Sequence, residues 1–479
     1  MNSRLDHFVA EGRRSRGLRS GGRACFLLGL LTLTACRLDS QLRIAERILD
    51  RYQRATASKP LPLSHVVRMK LRPDRAGDPA TGVAEVAWEP NRYRERVSSA
   101  GAATERGIQG GKAYAIDEDG FTRVVSEPVL RELRTRSYFW RKAWLFQDRE
   151  RARLSLGPTD AAAVSLRFLP QGGNPLVLRF SRHDGRLTAV RSPRFDLDFG
   201  EDGSFRLASG IRPRVLAQVA WSGLPSERIA DAVVGGACGK FSGRAEVPFE
   251  RTAEGGLTFP AAVNGVPLRL ALDAAADGPL RLSPEAAKRL GVSFTTDVYG
   301  RAIAAGATLA VGTFSCPGIH VEALTQPLEP DGVVGGTLYR EAVVEIDAGA
   351  RRLALHDPAR WVSPAGFTRI IVDDDGDRPV TNLRRGSRVA RLTVAAPTGS
   401  ADLSVAPEAL ERLEISAPGT VSAMRWGILE LPDLSSERDP HPTSAGWGDD
   451  GKVGFAMLLR FHSHLDLTHR WIYVRPVGR

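Results

Sequence analysis

The stretch Asp331-Gly332-Val333-Val334-Gly335 decides the fold of this 479-residue chain, because it recurs later as Asp450-Gly451-Lys452-Val453-Gly454. Each copy continues to a further aspartate sixteen residues after its first one, Asp347 in one copy and Asp466 in the other. Repetition at this scale indicates one structural module that occurs more than once. The sequence therefore predicts two tandem copies of a β-rich module in the second half of the chain.

The residues upstream of the first copy indicate what kind of module it is. Asn264-Gly265 separates two alternating apolar runs, which is the strongest short-range signal for a β-hairpin. The second run ends at Asp273, and Ser283 followed by Pro284 predicts the start of a short helix. This order of strand, aspartate, loop and helix, closed later by Val333-Val334-Gly335, resembles the retropepsin-like aspartic peptidases.

The second copy has the same plan, and the resemblance covers about residues 245 to 475. A strand pattern over residues 390–396 leads to Pro397-Thr398-Gly399 and then to a helix signal at Pro407. The resemblance implies two closed β-barrel lobes, one over residues 245–360 and one over residues 365–479. It also implies an aspartic endopeptidase with Asp273 as the catalytic acid/base and the turn Val333, Val334 and Gly335 apposed to it.

Both copies depart from the family pattern at the residues that carry the catalytic chemistry. Aspartic peptidases place two carboxylates about 3 Å apart, so that the pair shares one proton. Copy two has Pro397 where the carboxylate belongs, and Pro397, Thr398 and Gly399 therefore form a degenerate counterpart of the Asp273 site. Copy one has Ala274 directly after Asp273. A second carboxylate would have to come from Asp277 or from Asp273 of another molecule. The sequence leaves two alternatives open, a peptide-bond hydrolase and a degenerate relative that binds peptides.

The N-terminus resembles a bacterial lipoprotein signal peptide. Arginines precede a short apolar run over residues 26–33, which is typical of a signal peptide. The run ends in Leu33-Thr34-Ala35-Cys36, which is similar to the bacterial lipobox. This resemblance implies that residues 1–35 are removed and that an acylated Cys36 anchors the protein in a membrane. Arg37 follows, and no inner-membrane retention signal is present. We expect a periplasm-facing protein of the bacterial envelope, at the outer membrane.

Residues 36–230 are predicted to form a separate α+β domain. Apolar residues at helical spacing from Leu42 to Tyr52 are followed by short alternating runs with turn signals such as Asp119-Gly120 and Asp184-Gly185. This order resembles the LolA-like lipoprotein carriers, which implies an open half-barrel that shelters acyl chains. The predicted fold is thus mainly β, a LolA-like half-barrel followed by two retropepsin-like lobes. The alternative function is a lipid or lipoprotein carrier acting through this half-barrel.

The remaining features exclude other classes. The net charge of +11 is spread without a basic block, so no nucleic-acid partner is expected. Neither a Gly-x-Ser-x-Gly elbow nor a glycine-rich phosphate loop occurs, and we expect no cofactor. His462 and His464, with His469 nearby, are interpreted as a solvated strand face and not as metal ligands. Residues 373–377 are interpreted as an acidic hairpin turn. Cys238 and Cys316 are either a disulfide or two buried thiols.

Overall fold

The structure is a computed structural model, and it shows a mainly β protein. It describes residues 40–58, 61, 64–73, 80–193, 195–200, 204–208, 215–224, 238–253, 255–274, 276, 278–374, 379–396, 400–415, 418–439 and 450–477. Cys36, Asp277 and the stretch Pro397-Thr398-Gly399, which the sequence analysis singles out, lie outside these ranges. In the described part of the chain, no helix is both long and apolar enough to cross a membrane.

The N-terminal domain contains one antiparallel sheet and two main helices, α1 over residues 40–56 and α2 over Glu127–Trp140. Its strands are β1 His65–Pro73, β2 Gly82–Glu89, β3 Arg92–Ser99, β4 Ala102–Gln109, β5 Lys112–Ile116, β6 Thr122–Val124, β7 Arg153–Thr159, β8 Ala163–Leu169, β9 Leu176–Ser181, β10 Leu187–Ser192, β11 Phe195–Phe199, β12 Ser204–Ala208 and β13 Val215–Leu224. Two short 3₁₀ helices, Ala143–Leu145 and Arg149–Arg151, follow α2.

This sheet is a meander that curls as a half-barrel around α2. Its thirteen strands follow the order β6-β5-β4-β3-β2-β1-β13-β12-β11-β10-β9-β8-β7, so that only β1 and β13 are neighbours far apart in sequence. Helix α2 begins with Pro128 in its first turn, and it buries Leu133, Phe139 and Trp140 against the sheet. The predicted amphipathic stretch does form α1, which buries Leu49 and Tyr52. Leu42 and Ile44 differ from the prediction, since 46% and 39% of them are exposed.

Lobe 1 starts at residue 240 and contains helices α3 (Pro284–Leu290) and α4 (Gly336–Glu341). Its strands are β14 Lys240–Phe241, β15 Ala245–Pro248, β16 Glu250–Arg251, β17 Leu257–Val263, β18 Val266–Leu272, β19 Leu280–Leu282, β20 Thr295–Thr296, β21 Ala302–Val311, β22 Phe314–Ala323, β23 Gly332–Val334, β24 Val343–Asp347 and β25 Arg352–His356. Six of these strands close a barrel in the order β22-β19-β23-β18-β17-β21, because β21 also pairs with β22.

Lobe 2 contains helices α5 (Pro407–Arg412) and α6 (Phe455–Leu458). Its strands are β26 Thr368–Ile371, β27 Asp373–Asp374, β28 Pro379–Arg385, β29 Arg388–Ala396, β30 Leu403–Val405, β31 Gly419–Val421, β32 Met424–Trp426, β33 Leu429–Glu430, β34 Leu434–Arg438, β35 Gly451–Gly454, β36 Phe461–Asp466 and β37 Trp471–Pro476. The order β34-β30-β35-β29-β28-β32 repeats that of lobe 1. The ladder that closes lobe 1 has no counterpart among the described residues of lobe 2.

One sheet joins the two lobes. It has the order β15-β25-β24-β36-β37-β26, so each lobe contributes three strands and β24 pairs antiparallel with β36 at the seam. The two halves are therefore related by an approximate two-fold axis, as the internal repeat requires. Apolar side chains from both lobes, including Leu272, Ile346, Val394 and Leu465, belong to one continuous core.

The local signals in the sequence are confirmed where the structure describes them. Asn264 and Gly265 have positive φ angles of 50° and 79° and turn the hairpin between β17 and β18. Ser283 caps α3 by accepting a hydrogen bond from the amide of Ala286, and Pro284 occupies the first turn. Cys238 and Cys316 form a disulfide, which settles the alternative that their sequence left open.

Candidate functional site

Asp273 is the first residue after β18, and the backbone of the repeat holds it there. Its amide donates to the carbonyl of Val334 at 3.0 Å, and its own carbonyl accepts from the amide of Ala276. A Cβ atom placed at Gly335 would lie 2.0 Å from the Asp273 carbonyl oxygen, so no other residue fits there. The predicted turn Val333, Val334 and Gly335 therefore does lie against the Asp273 loop.

The Asp273 carboxylate lies beside a cation and a buried phenol. Its side chain is 12% exposed, and Oδ2 lies 3.8 Å from Nη2 of Arg281, which projects from β19. Tyr339 of α4 is close enough that the Asp273 charge, after burial, raises the pKa of its hydroxyl well above the usual range. The Tyr339 oxygen is buried and has no hydrogen-bond partner among the described residues. Sequence analysis missed both residues, because neither belongs to the repeated motif.

A second carboxylate is not supplied by the corresponding position of lobe 2. The ladders pair Leu272 with Val334 in lobe 1 and Val394 with Val453 in lobe 2, so Asp273 corresponds in register to Ala395. Neither Ala395 nor the two residues that follow it, Ala396 and Pro397, has a titratable side chain. Proton sharing of the aspartic-peptidase kind needs two facing carboxylates. The chemistry that the described residues provide at Asp273 is therefore charge pairing and hydrogen bonding.

The N-terminal domain contacts the same side of lobe 1 through the turn between β5 and β6. We call residues 117–120 the acidic turn. Asp119 Oδ1 accepts from the amide of His320 at 2.7 Å, and Oδ2 accepts from the Thr337 hydroxyl at 3.1 Å. Asp117 forms an ion pair with Arg340, and both side chains are 9% exposed. Buried ion pairs of this kind are strongly destabilising to break, because one charge is left without its partner.

The middle residue of the acidic turn reaches the Asp273 loop itself. Glu118 Oε1 lies 3.3 Å from Nη2 of Arg301, and Oε2 lies 4.0 Å from the Cβ position at Gly278. Arg301 is also bound by Asp297, whose Oδ2 accepts from its Nε at 2.8 Å. Burial raises the pKa of Glu322 on β22, although the nearby Arg301 and Arg281 act to lower it. Arg281 thus lies between Asp273 and this interdomain charge cluster.

Lobe 1 in turn inserts into the half-barrel. Val298 is 1% exposed and belongs to the apolar core of the N-terminal domain. Its amide donates to the Ser99 hydroxyl at 3.0 Å, and its side chain packs so closely on Gly82 that a Cβ there would lie 2.6 Å from Val298 Cγ1. The half-barrel therefore contacts lobe 1 through the acidic turn, and lobe 1 contacts the core of the half-barrel through Val298.

The half-barrel contains a large cavity of about 570 Å³ between α1, α2 and the sheet. Aromatic side chains dominate its lining, and they are Tyr52, Phe139, Trp140, Trp144, Phe199 and Phe205. Lys142 also lines it, with Nζ 3.2 Å from the Ser58 hydroxyl, and burial lowers the pKa of this lysine. The neighbouring aromatic residues Phe139 and Trp140 of α2, together with Trp144, thus form part of the cavity wall.

Two solved structures of aspartic proteases are among the known proteins to which this chain is similar. A scan against protein-family models finds no match, and a search of curated proteins finds none. A solved retropepsin-like aspartic protease from Rickettsia conorii is similar at 21% identity and a TM-score of 0.21, over 24% of this chain and 94% of that one. An aspartic proteinase from Irpex lacteus is similar at 11% identity and a TM-score of 0.34, over 49% of this chain and 98% of that one.

Proposed function

We propose that this protein binds extended polypeptide between its two lobes and does not hydrolyse it with a carboxylate pair of its own chain. The observation that carries the proposal is the environment of Asp273, which has Arg281 at 3.8 Å and corresponds in ladder register to Ala395 of lobe 2. Extended peptides are held mainly by main-chain hydrogen bonds to strands, which need no catalytic pair. The peptidase-like fold supports a polypeptide as the ligand.

The place of action belongs to the same proposal. Cys36 of the Leu33-Thr34-Ala35-Cys36 motif is acylated and anchors the protein to the bacterial envelope, at the outer membrane and facing the periplasm. The Cys238–Cys316 disulfide supports this location, because disulfides persist in oxidising compartments such as the periplasm. Mass spectrometry of protein from membranes tests the anchor, and an unmodified Cys36 would contradict it.

A peptide-library assay between pH 3 and 7 tests the peptide function. Wild type is compared with Asp273→Asn and with Asp277→Asn, and mass spectrometry records both cleaved and retained peptides. We expect retained peptides without cleavage, and retention that changes less than tenfold in Asp273→Asn. Cleavage that disappears in Asp273→Asn would overturn the proposal and establish an active peptidase. Its loss in Asp277→Asn as well would identify the second carboxylate.

A second candidate function, carriage of acyl chains, is favoured by the half-barrel cavity. About 570 Å³ lined by six aromatic side chains fits the usual size and polarity of small-molecule sites. Lys142 and Arg186 also line the cavity, with Asp184 as one carboxylate, and this excess of one cation suits a ligand with an apolar chain and an anionic head group. This activity is compatible with a peptide-binding second half, because the cavity lies within the N-terminal domain.

Lipid retention tests the carrier function. Organic extraction of the purified protein, followed by mass spectrometry, is compared for wild type, Leu187→Arg and Leu169→Arg. Leu187 lines the cavity, whereas Leu169 is 38% exposed and is absent from the lining. A carrier predicts bound lipid in wild type and Leu169→Arg and at least a tenfold loss in Leu187→Arg. Equal lipid content in all three folded proteins would contradict it.

A further inference from the structure

Four metal-ligating side chains meet at the seam between the lobes, outside the Asp273 site. We call Glu345, His356, His462 and His464 the seam cluster. Glu345 on β24 lies directly opposite His464 on β36 in the ladder that joins the lobes. Glu345 Oε2 lies 2.7 Å from Nε2 of His356, and its Oε1 lies 2.9 Å from Nε2 of His462. Each lobe therefore contributes two members.

The cluster is built into the interior. Glu345 is 4% exposed and His464 is 5% exposed, so the interpretation of this strand face as solvated is wrong for His464. The rings of Trp361 and Phe367, in the segment between the lobes, cover His464 with centroid distances of 5.6 and 4.9 Å. His469 is not a member, because its Nδ1 bonds Asp466 at 2.9 Å.

One nitrogen of this buried cluster is left without a partner. Nδ1 of His464 is buried and has no hydrogen-bond partner among the described residues. An unsatisfied buried polar atom costs about 1–3 kcal/mol, so proteins rarely keep one without a use. A lone pair on a buried imidazole nitrogen, beside a carboxylate and two further imidazoles, is a donor set for a metal ion.

We propose that the seam cluster is a binding site for a divalent transition metal, with zinc as the best fit. Ligand atoms of Glu345, His462 and His464 all lie within 4.8 Å of one another. Zinc bonds of about 2.0–2.2 Å in a tetrahedron place ligand atoms about 3.3 Å apart, which modest side-chain rotations achieve here. The fourth position is left to water, and His356 stays outside this set and holds Glu345 through its Nε2 atom, 2.7 Å from Oε2. The Nε2 atoms of His356 and His462 contact the two oxygens of Glu345, which is the carboxylate that the ion would bind.

Two arginines face the cluster and limit its affinity. Arg352 Nη2 lies 3.4 Å from Glu345 Oε1, but the same guanidinium contacts Glu246 at 3.3 Å and Asp347 at 3.7 Å, which balance its charge. Arg475 Nη2 lies 3.3 Å from His462 Nδ1 and stacks over Phe367. Arg475 is exposed, so it can turn outward when an ion binds.

An ion at this position would link the lobes. Glu345 and His356 belong to lobe 1, and His462 and His464 belong to lobe 2, so coordination would cross the β24–β36 ladder. A ligand that binds only the folded state stabilises it in proportion to the logarithm of its concentration over Kd. Metal would therefore raise the unfolding temperature without any change at Asp273.

Cobalt substitution in the full-length protein tests the site. The protein is stripped with a chelator, titrated with Co²⁺ and followed by visible absorption, which distinguishes tetrahedral from hydrated cobalt. Wild type is compared with His464→Ala, His462→Ala and the matched control His469→Ala, and zinc is then added as a competitor. We expect one tetrahedral cobalt per chain in wild type and His469→Ala, displaced by zinc, and at least tenfold weaker binding in the other two variants.

The cobalt titration distinguishes loss of the metal site from loss of folding and from loss of the peptide function. Absence of a tetrahedral spectrum in folded wild type would overturn the site, as would undiminished binding in His462→Ala or His464→Ala. If His464→Ala does not fold, His462→Ala decides, because the His462 side chain is 18% exposed and better tolerates truncation. Zinc should also raise the unfolding temperature of wild type and His469→Ala but not that of His462→Ala.

Discussion

At the residue scale, the repeated aspartates have structural roles that explain why the motif occurs twice. Asp331 accepts the amide of Arg269 at 2.8 Å and pairs with Arg289 of α3. Asp450 accepts the amide of Arg391 at 2.8 Å and pairs with Arg412 of α5. Asp331 thus connects β18, the strand that precedes Asp273, to helix α3. Asp450 connects β29, the corresponding strand of lobe 2, to helix α5.

This equivalence predicts matched losses of stability. Asp331→Ala and Asp450→Ala should each lower the free energy of unfolding by roughly 1–3 kcal/mol, because a backbone amide and an arginine lose their acceptor together. Urea denaturation measures both. Glu430→Ala is the control, since its side chain is 80% exposed and pairs only at the surface with Arg425, and should cost under about 1 kcal/mol. A neutral effect at one aspartate alone would refute equivalent roles.

Glu322 predicts a pH effect at the interdomain charge cluster. Burial raises its pKa from 4.5, so the folded state binds its proton more tightly than the unfolded state does. Stability from this group is therefore present below pH 4.5 and is lost as the pH rises through the folded pKa. Glu322→Gln removes that loss, and we expect the variant to gain stability over wild type between pH 4 and pH 7. Urea midpoints at both pH values check it, and parallel pH dependence would contradict the assignment.

At the element scale, the sequence predicted hairpin turns and helix starts, because residues close together in the chain determine these features. Asn264-Gly265 fixed a hairpin through its positive φ angles, and Ser283 with Pro284 fixed the start of α3. The placement of the turn Val333, Val334 and Gly335 against the Asp273 loop was predicted from the repeat and its resemblance to a known family, and the parallel β18–β23 pairing brings the two together. The seam cluster and the acidic turn were not predictable in this way, because their partners are far apart in sequence: Glu345 and His462 are separated by 117 residues, Asp119 and Thr337 by 218.

The disulfide connects β22 to the chain segment that enters lobe 1. Cys238 and Cys316 are 78 residues apart, and a cross-link of that span lowers the entropy of the unfolded chain. The loop-closure relation gives about 4.5 kcal/mol for this separation. The double variant Cys238→Ser, Cys316→Ser should be less stable by that order in urea denaturation, and reductant should bring wild type to the same midpoint. Unchanged stability in both cases would show that the bond does not form.

At the scale of the whole molecule, two kinds of contact couple the half-barrel to lobe 1. The half-barrel provides polar contacts, and lobe 1 provides an apolar side chain that is buried in the half-barrel. The acidic turn binds His320, Thr337 and Arg340 of lobe 1, whereas Val298 of lobe 1 enters the core of the half-barrel. A rigid connection of this kind would hold the half-barrel and the Asp273 loop in one arrangement. Glu118 extends these contacts to that loop, because it pairs with Arg301 and lies beside Gly278.

This coupling predicts that the two halves unfold together in wild type and separately when the acidic turn is weakened. Asp117→Ala with Asp119→Ala removes the ion pair that Asp117 forms with Arg340 and the acceptor of His320 and Thr337, which should cost on the order of 3 kcal/mol at the interface. Differential scanning calorimetry should then show one transition in wild type and two in the double variant. Asp184→Ala is the matched control, because the contacts of this exposed aspartate lie within its own turn, at Ser181 and Arg186, and this variant should keep a single transition. Two transitions in wild type, or one undivided transition in the double variant, would mean that the domains are not held together by these contacts.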